Sequence, residues 1–263
     1  MHVDTFSVPV ETRAPTGQTN AVLLAGPGPD GDRETLLVDP ADRVDTLDTV
    51  VRQKGLDHVA VTHTHPDHVG AVASYAAETD ATVWARRFRE RRFSEATGVV
   101  PDRTFLPGDR VGPARVLDTP GHAPDHVAFE TPRGIVAGDL VAARGSVAVA
   151  APEGDVRAYL TSLRRLFARD PETLFPGHGP VIESPRATCR RLLTHRRERE
   201  QSVLAAVESG ARELSDVVDA AYEKDLTGVR DLAAATTVAH LQKLDHEHRL
   251  QWDREAERAT PRE

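Results

Sequence analysis

With a single cysteine, Cys189, the chain cannot close an internal disulfide, and that residue is expected to be a small, buried, apolar side chain. Such usage suits a reducing compartment, and the cytoplasm is the expected location. Lysine is also nearly missing, present only as Lys54, Lys224 and Lys243. That bias belongs to the source's genome or salt and says nothing of chemistry. No apolar run approaches the roughly 18 residues of a membrane span; the longest, near residues 21–25 and 147–151, are far shorter, so no membrane partner is expected. The opening residues Met1-His2-Val3-Asp4-Thr5 lack a basic stretch leading into an apolar one, so no secretory leader is read there. Excess positive charge is missing as well: the formal net charge is −8, which argues against a general nucleic-acid or membrane binder. No internal repeat or low-complexity segment occurs, and no Gly-x-Ser-x-Gly elbow offers a serine nucleophile.

What is present fits an ordinary folded chain, with room in 263 residues for one large domain and a smaller one. Up to about residue 180, short β-type runs alternate with Gly, Pro and Asp. Leu36-Leu37-Val38, Val59-Ala60-Val61, Ala81-Thr82-Val83-Trp84, Ala114-Arg115-Val116-Leu117, His126-Val127-Ala128-Phe129 and Gly134-Ile135-Val136-Ala137 read as strands. Val156, Tyr159, Leu160, Leu163, Leu166 and Phe167 make a helical stripe behind Asp155 as N-cap. Strands mixed with helices indicate an α/β layered domain over residues 1–185.

Beyond Pro185 the pattern becomes helical. A helix over residues 187–208 is polar all round at its centre, from His195 to Ser202, which predicts a solvated or bridging segment. Leu214, Val217, Val218, Ala221 and Tyr222 form an apolar face with Ser215 as the expected N-cap. A third helix carries Val238, Leu241 and Leu244, and Leu250 and Trp252 suit a short closing strand. Three helices and a small strand pair predict a winged-helix-like unit over residues 186–263.

The chemistry-bearing signal is His63-Thr64-His65-Pro66-Asp67-His68, directly after a strand. Residues two apart in an extended loop share a face, so His63 and His65 can grip one metal ion. Asp67 and His68 fall at the start of a helix, where the dipole favours a carboxylate, and point to a second position. Imidazole and carboxylate ligands suit zinc, with iron or manganese as alternatives. Three further ligand-type residues stand at strand exits beside glycines: His122 in Thr119-Pro120-Gly121-His122, Asp139 in Gly138-Asp139-Leu140, and His178 in Pro176-Gly177-His178-Gly179.

In this order the motifs resemble the metallo-β-lactamase superfamily in its glyoxalase II branch, over roughly residues 15–185. The resemblance implies an αββα sandwich with two metal ions at one edge of its sheets. It assigns His63, His65 and His122 to one ion, Asp67, His68 and His178 to the other, and Asp139 to both. It makes Asp67 and Asp139 the catalytic carboxylates, with Asp39 orienting the ligands from behind and Thr19-Asn20 preceding the first strand. Leu193-Thr194-His195-Arg196-Arg197-Glu198-Arg199-Glu200 and His240-Leu241-Gln242-Lys243-Leu244 are similar to the lactamase-beta-like protein 2 group, which His126 also fits. That group's wing turns on a glycine, and Asp245-His246-Glu247-His248 has none, so an altered or lost wing is expected. His2, His58, His240, His246 and His248 match no pattern and are read as surface or cap residues.

The implied activity is hydrolysis by a metal-bridged hydroxide, with no side-chain nucleophile. A small ester or thioester is the expected substrate. Single-stranded RNA is the alternative that the resemblance to the lactamase-beta-like protein 2 group implies, and the five arginines of residues 86–92 and six of residues 186–200 could guide its phosphates. An iron-dependent enzyme handling oxygen or sulfur is the alternative of another class. Flavodiiron relatives carry a glutamate where this chain has His65, which weighs against it.

Overall fold

The computed structural model describes residues 1–262. By its contacts the chain gathers into two compact units: Met1–Thr119, Asp125–Gly145 and Arg169–Thr188 form the first, and Pro120–Pro124, Ser146–Ala168 and Cys189–Glu263 the second.

The first unit holds two mixed sheets of an α/β fold. One runs in the order β1 (His2–Pro9), β2 (Gln18–Pro27), β3 (Arg33–Val38), β4 (His58–Ala60), β5 (Thr82–Arg86) and β6 (Arg103–Phe105). Its first three strands are antiparallel and β3 to β6 are parallel. The other comprises β7 (Arg110–Val111), β8 (Ala114–Asp118), β9 (Val127–Thr131), β10 (Gly134–Gly138) and β11 (Leu174–Pro176), with β10 and β11 parallel. Alternation along β2 and β3 explains the layering. Val22, Leu24, Leu36 and Val38 meet Val116, Val127, Phe129 and Val136 of the other sheet. Ala21, Leu23 and Leu37 face the opposite way and pack on α1 (Asp45–Lys54), α3 (Val72–Thr79) and α4 (Glu90–Thr97), through Leu47, Val72, Tyr75 and Phe93. A strand buried on both faces reads as a continuous apolar run, as residues 21–25 do.

The chain begins in β1, paired with β2 from His2↔Ala25 to Pro9↔Gln18, so Thr19 and Asn20 lie inside the second strand, not ahead of the first. The sequence hid β1 because it is an edge strand with only Val8 fully buried.

The second unit contains nearly all of α5 (Val156–Arg169), most of α6 (Pro185–Glu208), α7 (Leu214–Ala221), α8 (Arg230–His246) and a hairpin of β12 (Leu250–Asp253) and β13 (Arg258–Pro261). Asp155 caps α5 as expected, its Oδ1 accepting from the amides of Arg157 and Ala158 at 2.8 and 3.0 Å. Ser215 does not cap α7. The N-cap is Glu213, held extended by a bridge to Arg258, with the Leu214 amide donating to Glu257 O at 3.1 Å. Beyond Asp245–His248 the β12–β13 hairpin turns without glycine. Asp253 Oδ1 accepts from the amides of Glu255 and Ala256, and Glu257 takes a φ of 48°. The polar centre of α6 is not simply solvated, because Arg196 is 3% exposed. His240 is buried, not on the surface.

Candidate metal centre

The parallel pairing Val38↔Ala60 sends the exits of β3 and β4 out side by side. Asp39, at φ 53°, accepts from the Thr62 amide at 2.6 Å and from the Thr62 hydroxyl at 2.7 Å. With its proton on Asp39, the Thr62 oxygen accepts from His63 Nδ1 at 3.0 Å, which leaves His63 Nε2 with its lone pair. His65 Nδ1 stands 2.9 Å from that nitrogen. Pro66 opens the short helix α2 (Pro66–Val69) at the position where a missing amide costs nothing, and His65 is its N-cap. Thr64 is fastened by donating to Asp125 at 2.7 Å and accepting from Arg92 Nε at 2.7 Å.

His68 is fully buried on α2. Its Nδ1 donates to Asp39 Oδ2 at 3.1 Å, so the lone pair is on Nε2. That nitrogen has no hydrogen-bond partner among the described residues, and it faces Asp139 Oδ1 at 3.7 Å and Asp67 Oδ1 at 4.0 Å. His178, after β11, donates from Nδ1 to Gln18 O at 2.8 Å, and its Nε2 faces Asp139 Oδ2 at 3.4 Å and Asp67 Oδ2 at 3.6 Å. Glycine is required where these loops close in. A Cβ on Gly177 would lie 2.3 Å from Asp139 Oδ1, and one on Gly138 would lie 2.6 Å from the Thr62 hydroxyl.

The arrangement sets ring lone pairs against carboxylate oxygens, which repel unless a cation lies between them. Without a metal ion, a proton takes that place. Burial disfavours charge on His68, yet Asp39 first, then Asp139 and Asp67, lift it to about 9. His178 is raised in the same way, Asp139 outweighing its burial. Ligand atoms of His63, His68 and Asp139 all lie within 4.8 Å of one another, and so do those of Asp67, His68 and His178. The donor set and the orphaned His68 Nε2 therefore fit divalent metal ions.

Of the residues singled out from sequence, the first unit gathers His63, His65, Asp67, His68, Asp139 and His178, with Asp39 behind His68. His126 is buried, with Nδ1 2.9 Å from the Thr119 hydroxyl and its ring 5.2 Å from that of His63. His122 stands in the second unit on Pro120–Pro124, its Nδ1 2.7 Å from Ala148 O. Thr12, whose hydroxyl donates to Asp67, escaped the sequence reading, as did Thr62. Asn20 was noted only by position; its amide pins the His178 loop through Pro176 O and Gly179 O at 2.9 and 2.7 Å.

Mixed sheets with a buried histidine and aspartate cluster at their strand exits define a metallo-hydrolase. The chain belongs to the metallo-beta-lactamase superfamily, whose family model matches residues 14–178. It is similar to a beta-lactamase-like protein 2 homolog of Drosophila melanogaster, 30% identical over 91% of this chain and 86% of that one. An atrochrysone carboxyl ACP thioesterase of Aspergillus fumigatus is 30% identical over 62% of this chain and 50% of its own length. In fold, it resembles a metallo-beta-lactamase family protein of Thermus thermophilus, with a TM-score of 0.77, 23% identity, and coverage of 99% and 98%. No helix among the described residues is long and apolar enough to cross a membrane.

Proposed function

We propose that the chain hydrolyses a small ester or thioester with two divalent metal ions, held by His63, His65 and His122 on one side and Asp67, His68 and His178 on the other, with Asp139 shared. The observation that carries this is His68 Nε2, buried without a hydrogen-bond partner among the described residues and aimed at two carboxylates. When bound, such ions supply a hydroxide nucleophile near neutral pH and polarise a carbonyl or phosphoryl oxygen. The imidazole-rich set suits zinc, and iron or manganese fit the same donors.

The chain's own residues hold and orient. Asp39, Gln18 O and Ala148 O each engage a histidine Nδ1, fixing the tautomer that presents Nε2. Thr12 and Asn20 hold Asp67 and the His178 loop in register. Cys189 is no nucleophile: it is buried, and burial pushes its thiol up to about 11.

The small substrate is favoured over RNA by where the arginines go. Arg86 pairs with Asp118 at 2.6 Å, Arg91 with Glu95 at 2.7 Å and Arg92 with Asp125 at 3.3 Å. Arg196 is buried, and Arg199 lies 3.6 Å over the Tyr222 ring. Charges engaged in this way are drawn off from a phosphate backbone, which needs free cations along its path. The thioesterase named above points the same way. The α6–α8 helices, the bridge at Glu213 and the hairpin support a winged-helix-like reading of residues 186–263. The proposed catalytic domain, residues 1–185, contains every ligand assigned here.

A panel of thioesters, lactones, phosphodiesters and single-stranded RNA on metal-verified protein tests the reading, with His63→Ala as control. Thioester or ester turnover lost in the variant is expected. Metal-dependent RNA cutting at low salt with no ester turnover would overturn it.

A further inference from the structure

His122 depends on a stretch of chain that has no regular structure of its own. Its Nδ1 meets Ala148 O, and residues 146–150 belong to neither helix nor strand. Two helices of the same unit hold this stretch. The Arg196 guanidinium, from the middle of α6, donates to Val147 O, and the Ala151 amide donates to Ala235 O of α8 at 2.9 Å.

Arg196 is an unusual choice for the first of these clamps. It is 3% exposed, and no carboxylate among the described residues pairs with it. It also lies over the Tyr159 ring of α5, 5.5 Å away. Burial holds its guanidinium below the ordinary arginine value, and Tyr159 and Tyr222, the first also by a side-chain hydrogen bond, offset this only in part. Burial first, then neighbouring cations including Arg196 and Arg199, hold His195 down at about 4 and His240 at about 3, so both stay neutral. Glu200 is committed to Lys243 at 2.7 Å. A buried charge without an acid partner weakens a fold compared with an apolar residue of similar size, so packing does not account for it. Position does: it anchors the carbonyl immediately before the one that His122 uses.

We propose that Arg196 is a positioning residue for His122. By fixing the Val147 carbonyl it sets the next one, Ala148 O, which holds the imidazole in the tautomer that offers Nε2 to a metal ion. This inference rests on the metal-ligand reading of His122 given above.

The test uses the full chain loaded with cobalt(II), comparing wild type, Arg196→Met, Arg196→Lys, His122→Ala and the Arg196→Met/His122→Ala double variant. The readouts are the visible cobalt spectrum, the affinity by chelator competition and the melting temperature. Arg196→Met is expected to keep or raise the melting temperature, while affinity falls about ten- to a hundredfold and the spectrum shifts as in His122→Ala. The double variant should lose no more affinity than His122→Ala alone, because the two act through one bond. Arg196→Lys, which retains a donor, should recover part of the loss, and Arg196→Gln, which removes the charge, replaces Arg196→Met if that does not fold. Wild-type affinity and spectrum in Arg196→Met or, where that does not fold, in Arg196→Gln at low temperature, beside an impaired His122→Ala, would overturn the role of Arg196 alone, as would an Arg196→Lys no better than Arg196→Met. Wild-type behaviour in His122→Ala would overturn the ligand reading beneath it.

Discussion

His68 is the residue on which the centre turns, with Asp39 on one ring nitrogen and Asp67 and Asp139 facing the other. In metal-stripped protein its value of about 9 lies above the ordinary 6.5. The stability it contributes is therefore complete below pH 6.5 and lost as pH rises through 9. The melting temperature of the stripped chain should fall across that window, and metal loading should remove the dependence by replacing the proton. Asp39→Asn takes away the strongest influence raising His68, so the slope should flatten and metal affinity should drop about ten- to a hundredfold. Equal slopes and affinities in the two proteins would strip Asp39 of that part. The histidines and aspartates were legible in the sequence because His63, His65, Asp67 and His68 lie within six positions. Thr12 was not, since a lone hydroxyl acting 55 positions away on Asp67 leaves no local pattern.

Among the elements, those that bury an apolar stripe on both or one face were readable, and those defined by hydrogen bonds were not. The stripe of α5 emerged intact, with Tyr159 and Leu163 fully buried and Asp155 as its cap. Asp155→Ala should cost about 1 kcal/mol in urea denaturation, the usual value of an N-cap, without touching metal content. A loss of metal would mean that the start of α5 is tied to the centre. By contrast, α7 begins two residues earlier than Ser215 suggests, because the bridge between Glu213 and Arg258 decides where the helix starts. Such a bridge joins residues far apart in the chain, so no local pattern announces it. The same holds for Arg196 and His240: charge and polarity argued for exposure, and tertiary packing buried them.

At the scale of the whole chain, the seven proposed ligands all precede α6, which suggests a tail free to be removed. The contacts within the second unit argue otherwise. Truncation after Ser184 takes Arg190 from Phe167, Arg196 from Tyr159 and Val147, and Ala235 from Ala151. The truncated chain is expected to lose soluble yield, and its folded fraction to hold fewer than two ions by elemental analysis. A monomeric truncate with two ions would make the tail dispensable. The net charge of −8 agrees with a small substrate rather than a polyanion.

The lone thiol has a practical consequence. Cys189 lies near the start of α6, wholly buried, with its proton held to about pH 11. A maleimide dye should therefore stay unreacted with the native chain and couple only when α6 lifts away, its rate rising with added urea. Rapid coupling without urea would mean that this helix opens freely. Slow coupling makes the chain a ready host for spectroscopy, because a cysteine introduced on the surface would take a label alone, with no native competitor to remove first.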